Sequence, residues 1–423
     1  MGAVHSDDET TANSPKTVRF ALYLLIPVAI ATAIAMGIMW PSSTPKPEYM
    51  PDSTKETGTI TGLSERECPD IDGPTSFQPE RCGLVTVELT SGERSGSIIT
   101  TALPNGPGVP AVDKGDSVVL IHMPNEENSY SIIDQDRSTP LWIMGIAFAL
   151  AVVAFGRIRG LLSLVGLAIT FAVLLLFIVP AILAGQPPLL VAIVGSVAIM
   201  LTVLYLTHGL TATTTMAVAG TLSSLVLTGL LSALAVGVAH LTGISDEDTS
   251  QLSMFHDVNT QGLLLAGILI GSLGALDDVT VTQASAVTEL ARANPEYGVG
   301  ELYSAASRIG RSHIASVVNT LILAYAGAAL PLMILIAAAD QPLGETLTHQ
   351  LLAEEIVRSI VGTIGLIAAV PLTTLLAALT VRRLNPASPQ FGQQKKPGPR
   401  PLLDKDEWLK FHDDSQDDPP SRP

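Results

Sequence analysis

The sequence predicts an α-helical multi-pass membrane protein of about eight transmembrane helices, with one small β-barrel-like domain of OB-like or SH3-like type outside the membrane. Three observations carry this expectation. Of 423 residues, 47% are hydrophobic and only 15% are charged. The apolar residues fall in runs long enough to cross a bilayer, parted by short polar joints. The only sizeable polar segment, between Trp40 and Leu141, reads as short strands separated by glycine-containing turns.

In chain order, residues 1–19 form an N-terminal tail and residues 20–40 a first span, Phe20 to Trp40. Its apolar run of about twenty residues exceeds the 7–15 of a signal-peptide core, so an uncleaved anchor is expected. Residues 41–138 hold a linker, Pro41 to Thr57, and then the β-rich domain. Its strand candidates are Gly58 to Gly62, Leu84 to Leu89, Ser97 to Thr101, Ser117 to His122 and Tyr130 to Ile133. The chain's two cysteines, Cys68 and Cys82, both lie here. Outside the cytoplasm they can pair, and closing such a loop is worth about 3 kcal/mol in the chain-entropy model. A disulfide is expected over a metal site, because only His122 adds a further soft ligand in the domain.

Residues 139–383 form a membrane domain of seven spans. They are Leu141 to Phe155, Leu161 to Leu183, Leu189 to Leu206, Thr215 to Leu241, Gly262 to Leu276, Ala315 to Ala338 and Ile356 to Val381. The basic joints are Lys16 with Arg19, Arg157 with Arg159, Arg292 with Arg308 and Arg311, and Arg382 with Arg383. All fall on one side if there are eight spans, which predicts a plasma-membrane protein with both termini in the cytoplasm. Residues 384–423 read as a disordered acidic tail with a short helix around Trp408 to Phe411. The net charge of −16 resides largely in the tails and the outer segment, and no basic stripe suggests nucleic-acid binding.

The stretch GLLLAGILIGSLGALDDVTVTQASAVTE, from Gly262 to Glu289, is the strongest site candidate. Its purely apolar part covers about 15 residues, roughly 22 Å of helix against a hydrocarbon core of about 30 Å. If the helix continues unbroken, Asp277, Asp278 and the first threonines fall near membrane depth. Carboxylates there face a partner, a water-filled cavity or an ion. Asp278, Thr282, Ser285 and Glu289 share one helical face, and Asp277 and Thr280 flank it. Two readings stand side by side. The face lines a hydrophilic vestibule, or the helix merely continues into the cytoplasm with its aspartates at the headgroups. Topology brings His208, Asp277, Asp278, Thr282 and Asn319 to the same end. For His208 an interfacial imidazole, and for Asn319 an interhelical hydrogen bond, are the plainer roles. Gly267 and Gly271, with Gly274 one turn on, have the spacing of close helix packing. Pro180, Pro331 and Pro371 are candidate breaks or kinks. Walker A, nucleophile-elbow, H-E-x-x-H and C-x-x-C motifs are missing, so no enzyme activity and no cofactor are expected.

The run from GTITGL to SIIDQDRSTPLW, then GRIRGLLSL, then GLLLAGILIGSLGALDDVTVTQASAVTEL resembles the YibE/F-like family of bacterial integral membrane proteins. The DDVTVTQ form is similar to its actinobacterial branch. The resemblance implies a multi-pass bacterial membrane protein with an extracytoplasmic β-domain, and it assigns no activity or catalytic residue. Two functions follow as expectations. One is transport of a cation, proton or small solute along Asp277, Asp278, Thr280, Thr282, Gln283 and Asn319, opening to a cytoplasmic vestibule. The other is a non-enzymatic envelope assembly or stress-response platform that contacts a partner protein, or a second copy of the chain, through its outer domain.

Overall fold

The computed structural model describes residues 15–41, 54–68, 81–105, 109, 111–123, 130–244, 247–256, 258–338, 344 and 348–384. Most of the expected linker and all of the expected tail past Leu384, with the helix at Trp408 to Phe411, lie outside the described residues.

The polar segment folds as one antiparallel sheet. Its strands are β1 (Thr54–Arg66), β2 (Cys82–Leu89), β3 (Ile98–Ala102), β4 (Ser117–His122) and β5 (Tyr130–Gln135). Their order is β3-β2-β1-β4-β5. Alternation aims Val85, Val87 and Leu89 of β2 and Val118 and Leu120 of β4 into one core with Ile60 and Ile132. β1 is longer than its Gly58 to Gly62 candidate and takes in the end of the expected linker, because it serves two partners. Residues 54–59 pair with β4 and residues 58–66 with β2. A register shift between Ile60 and Gly62 bends the strand where the partners change over. At Gly58, which pairs with both neighbours, a Cβ would stand 2.5 Å from Val87 Cγ1, so the close pairing there favours glycine. The two edges of the sheet approach each other, and Thr101 Oγ1 donates to the Tyr130 carbonyl at 2.6 Å. A disulfide joins Cys68, just past β1, to Cys82 at the start of β2, with Cα atoms 5.1 Å apart.

The sheet feeds straight into helix. Arg137 pairs with Asp134 at 2.8 Å, and the Asp136 carboxylate accepts from the Ser138 amide at 2.9 Å. The Arg137 hydrogen bond on Asp134, and the Ser138 amide on Asp136, hold both carboxyls below their usual range.

The helices are α1 (Pro15–Met39), α2 (Ser138–Val173), α3 (Val179–Leu183), α4 (Pro188–His208) and α5 (Ala212–Val238). After these come α6 (Glu247–His256), α7 (Thr260–Ala293), α8 (Val299–Ala328), α9 (Leu330–Ala338) and α10 (Gln350–Leu384). Among the described residues, five helical stretches are long and apolar enough to cross a membrane. The expected second and third spans both fall in one of them, Ser138–Leu183. That stretch is interrupted at Arg157, where φ is 50° and ψ −128°. Past it, a Cβ on Gly160 would stand 2.3 Å from the Val152 carbonyl oxygen. A straight helix separates residues eight apart by about 12 Å, so the chain turns back on itself at Arg157.

Prolines act unequally. Pro180 follows a π-helical turn, Leu174–Ile178, which absorbs its missing amide. Pro331 lies just past the interruption between α8 and α9. Pro371 sits inside α10 without ending it. The expected seventh span starts far into α8, whose first half is a polar-faced extension packed through Leu302, Ala306 and Gly310.

The centre of the bundle is α5, α7 and α10, and it buries Val218, Leu225, Leu269, Leu276, Leu366 and Ala377. α4 packs on α7, and the second half of α2 packs on α4, with Gly166 against Val203. Trp40 past α1 stacks on Phe177 at 5.8 Å.

Candidate functional site

α7 runs unbroken from Thr260 to Ala293, so the aspartate pair is part of a continuous helix. Asn259 caps its start by accepting from the Gly262 amide at 2.9 Å. The helix splits the candidate residues between two faces. Thr280 and Gln283 are buried toward α5 and α10, whereas Asp278, Thr282, Ser285 and Glu289 form an exposed stripe. Asp277 sits at the boundary, half-buried, with its Oδ1 sealed from solvent and, among the described residues, lacking a hydrogen-bond partner.

The face that Asp277 borders is a polar seam. On α5 the buried residues Thr214, Thr221, Ser224, Thr228 and Ser232 follow helical spacing. Thr221, Ser224, Thr228 and Ser232 each donate to the carbonyl four residues back, at 2.7–3.0 Å. Such hydroxyls are satisfied within their own helix and can be buried in an apolar bundle. Across the seam Thr221 and Thr280 hydroxyls meet at 2.7 Å, and Thr280 also donates to the Asp277 carbonyl at 3.1 Å. Gln283 Nε2 donates to the Ala306 carbonyl of α8 at 2.9 Å and to Thr374 Oγ1 of α10 at 2.7 Å. Gln283 thereby ties three helices together. The fit depends on Gly310, where a Cβ would stand 2.7 Å from Gln283 Oε1.

Glycines bring α5 and α10 together reciprocally. A Cβ on Gly220 would lie 2.1 Å from Thr373 Oγ1, and one on Gly365 would lie 2.0 Å from Thr228 Oγ1. Each helix seats its threonine on the other's glycine, in antiparallel register. Gly267, Gly271 and Gly274, expected as packing residues, take no part in this α5–α10 contact. Among the described residues, Gly267 and Gly274 have nothing within 4 Å of a would-be Cβ, and Gly271 meets the Tyr325 hydroxyl at 3.4 Å. Their G-x-x-x-G face is turned away from the α5–α10 contact.

At the end of the bundle where α4 hands over to α5, a cavity of ≈ 410 Å³ opens. Its lining includes Arg159, His208, Thr213, Ser285, Thr288, Glu289 and Arg292. The lower half of the exposed stripe therefore does face a cavity. Asp278 and Thr282 are exposed above it, and Thr282 donates to the Asp278 carbonyl at 2.8 Å. Asn319 stands apart, exposed on α8 and without a side-chain hydrogen bond among the described residues. The expected convergence of His208, Asp277, Asp278, Thr282 and Asn319 thus resolves into three places: seam, stripe with cavity, and α8. Among the described residues no group of three or more His, Cys, Asp or Glu side chains could hold a metal ion.

Sequence reasoning missed the α5 and α10 halves of the seam. The signal was present, since Thr214, Thr221, Ser224, Thr228 and Ser232 recur at steps of three, four or seven. In a span of mostly small residues, that pattern is masked by the hydropathy average.

Residues 144–383, more than half of the chain, match the family model described as YibE/F-like protein. No curated protein and no solved structure matches the chain.

Proposed function

The chain belongs to the YibE/F-like family, and from that premise we propose that it is a non-enzymatic membrane protein that moves a proton, cation or small solute along the α5–α7–α10 seam. It is a bacterial plasma-membrane protein with eight spans and both termini cytoplasmic. Its outer sheet is a partly open barrel of OB type, a reading supported by the meeting of β3 and β5.

One observation carries the transport reading. Asp277 Oδ1 is sealed from solvent and, among the described residues, without a hydrogen-bond partner, beside a seam of hydroxyls. An ionisable group at such a position is costly, and its ordinary use is to bind a cation or relay a proton. The neighbouring hydroxyls Thr221 and Thr280 supply oxygen ligands suited to hard cations or protons. Asp278, being exposed, is a secondary element that draws cations toward the stripe.

The test is flux into proteoliposomes made with the full chain. Asp277→Asn is expected to lower uptake at least about tenfold, and Asp277→Glu to retain part of it, because one charge at this site is worth more than 1.4 kcal/mol. Asp278→Asn is expected to change flux less than about threefold. Wild-type flux in Asp277→Asn would remove the reading and leave the envelope-platform alternative, in which the outer domain is indispensable and Asp277 is not.

A further inference from the structure

We propose that the cavity where α4 hands over to α5 binds a phosphate-type oxyanion, supplied either as free phosphate or as the headgroup of an anionic lipid. The proposal is independent of whether anything crosses the bundle at Asp277.

The first argument is charge. Two guanidiniums, Arg159 and Arg292, and the imidazole of His208 line a space of ≈ 410 Å³. The only carboxylate in that lining, Glu289, is already bound to Arg292 at 2.8 Å. The Arg159 side chain has no ion pair or hydrogen bond among the described residues. The cavity thus keeps a positive excess in a chain whose net charge is −16. An oxyanion entering this cavity gains a fork of N–H donors suited to its geometry.

The second argument is the supply of a neutral donor. Ser285 lacks a side-chain partner among the described residues, whereas Thr288 donates to the Ala284 carbonyl at 2.9 Å and Thr213 donates to Thr288 Oγ1 at 3.1 Å. Free donors thus come from α2 and α7, with α4 and α5 closing the cavity around them, so the site is assembled by tertiary packing and not by one helix end. The volume suits a phosphate group together with a small substituent.

The experiment uses the full chain in nanodiscs of phosphatidylcholine, with and without phosphatidylglycerol. Inorganic phosphate is titrated at constant ionic strength, and thermal stabilisation is followed. A saturable phosphate response in phosphatidylcholine discs identifies a free anion as the ligand. Stabilisation by phosphatidylglycerol alone identifies a lipid headgroup. Either supports the proposal if Arg159→Gln weakens the response about tenfold, as loss of a charge-assisted hydrogen bond does. Glu289→Gln, which removes the carboxylate and frees Arg292, is expected to strengthen it about threefold. No response to either ligand, or an Arg159→Gln response equal to wild type, overturns the proposal. If Arg159→Gln fails to fold, Glu289→Gln decides, and unchanged or weaker binding there overturns it.

Discussion

Gln283 shows how a residue read as path-lining can be a fastening. Its amide donates to α8 and α10 at once, through the Ala306 carbonyl and Thr374 Oγ1. Hydrogen bonds between helices in a membrane are worth about 0.6 kcal/mol on average and up to about 1.7. Gln283→Leu is therefore expected to destabilise the bundle by about 1–2 kcal/mol in detergent unfolding, while flux per folded molecule stays within about twofold of wild type. A normal melting curve with lost flux would return Gln283 to the path. Asp277 and Asp278 are adjacent in sequence, yet their environments differ, because a helix turns about 100° per residue. That division was not legible from the sequence, which shows that both carboxylates sit at the end of an apolar run but not which neighbour covers which face. The unbroken helix itself was legible, since nothing between Leu276 and Glu289 breaks it.

At the scale of elements, the decisive feature is how closely α5 and α10 cross. With no hydrophobic driving force between helices in lipid, close van der Waals approach sets the association. Gly220 against Thr373 and Gly365 against Thr228 provide it. Gly220→Val would force these helices apart and is expected to cost about 2 kcal/mol, the range of overpacked cores. Gly267→Val, with nothing nearby to strike, should stay within about 0.5 kcal/mol of wild type in the same unfolding assay. Equal losses at both would mean that the G-x-x-x-G face of α7 has a partner outside the chain. A glycine motif is visible in sequence because its spacing lies within one helix. The reciprocal Gly–Thr pairs of α5 and α10 are invisible there, because the two members are well over a hundred residues apart. The β-strands were easier to read. Val85, Val87 and Leu89 alternate cleanly with Thr86 and Glu88, and alternation is a local signal.

For the whole molecule, the question that controls every other is how often the chain crosses the bilayer. Hydropathy alone takes Ser138–Leu183 as one stretch among five. Arg157 divides it, with a backbone conformation that non-glycine residues rarely adopt and with Gly160 folded against Val152. The two accounts predict opposite sides for two surface positions. Glu93 lies in the turn before β3, and Glu296 lies between α7 and α8. If Ser138–Leu183 crosses once, four of the five stretches separate them, an even number, and both face the same side. If the chain reverses at Arg157, one more crossing is added and they face opposite sides. The chain's two cysteines are joined to each other, so single cysteines at these positions report cleanly. Under the reversal, a membrane-impermeant maleimide labels Glu93→Cys on intact cells and labels Glu296→Cys only after permeabilisation. Labelling of both on intact cells would mean that the turn at Arg157 is a kink within one crossing. It would also move Arg159 and the oxyanion cavity to the same side as the β-domain, and the seam at Asp277 would then have to be entered from there.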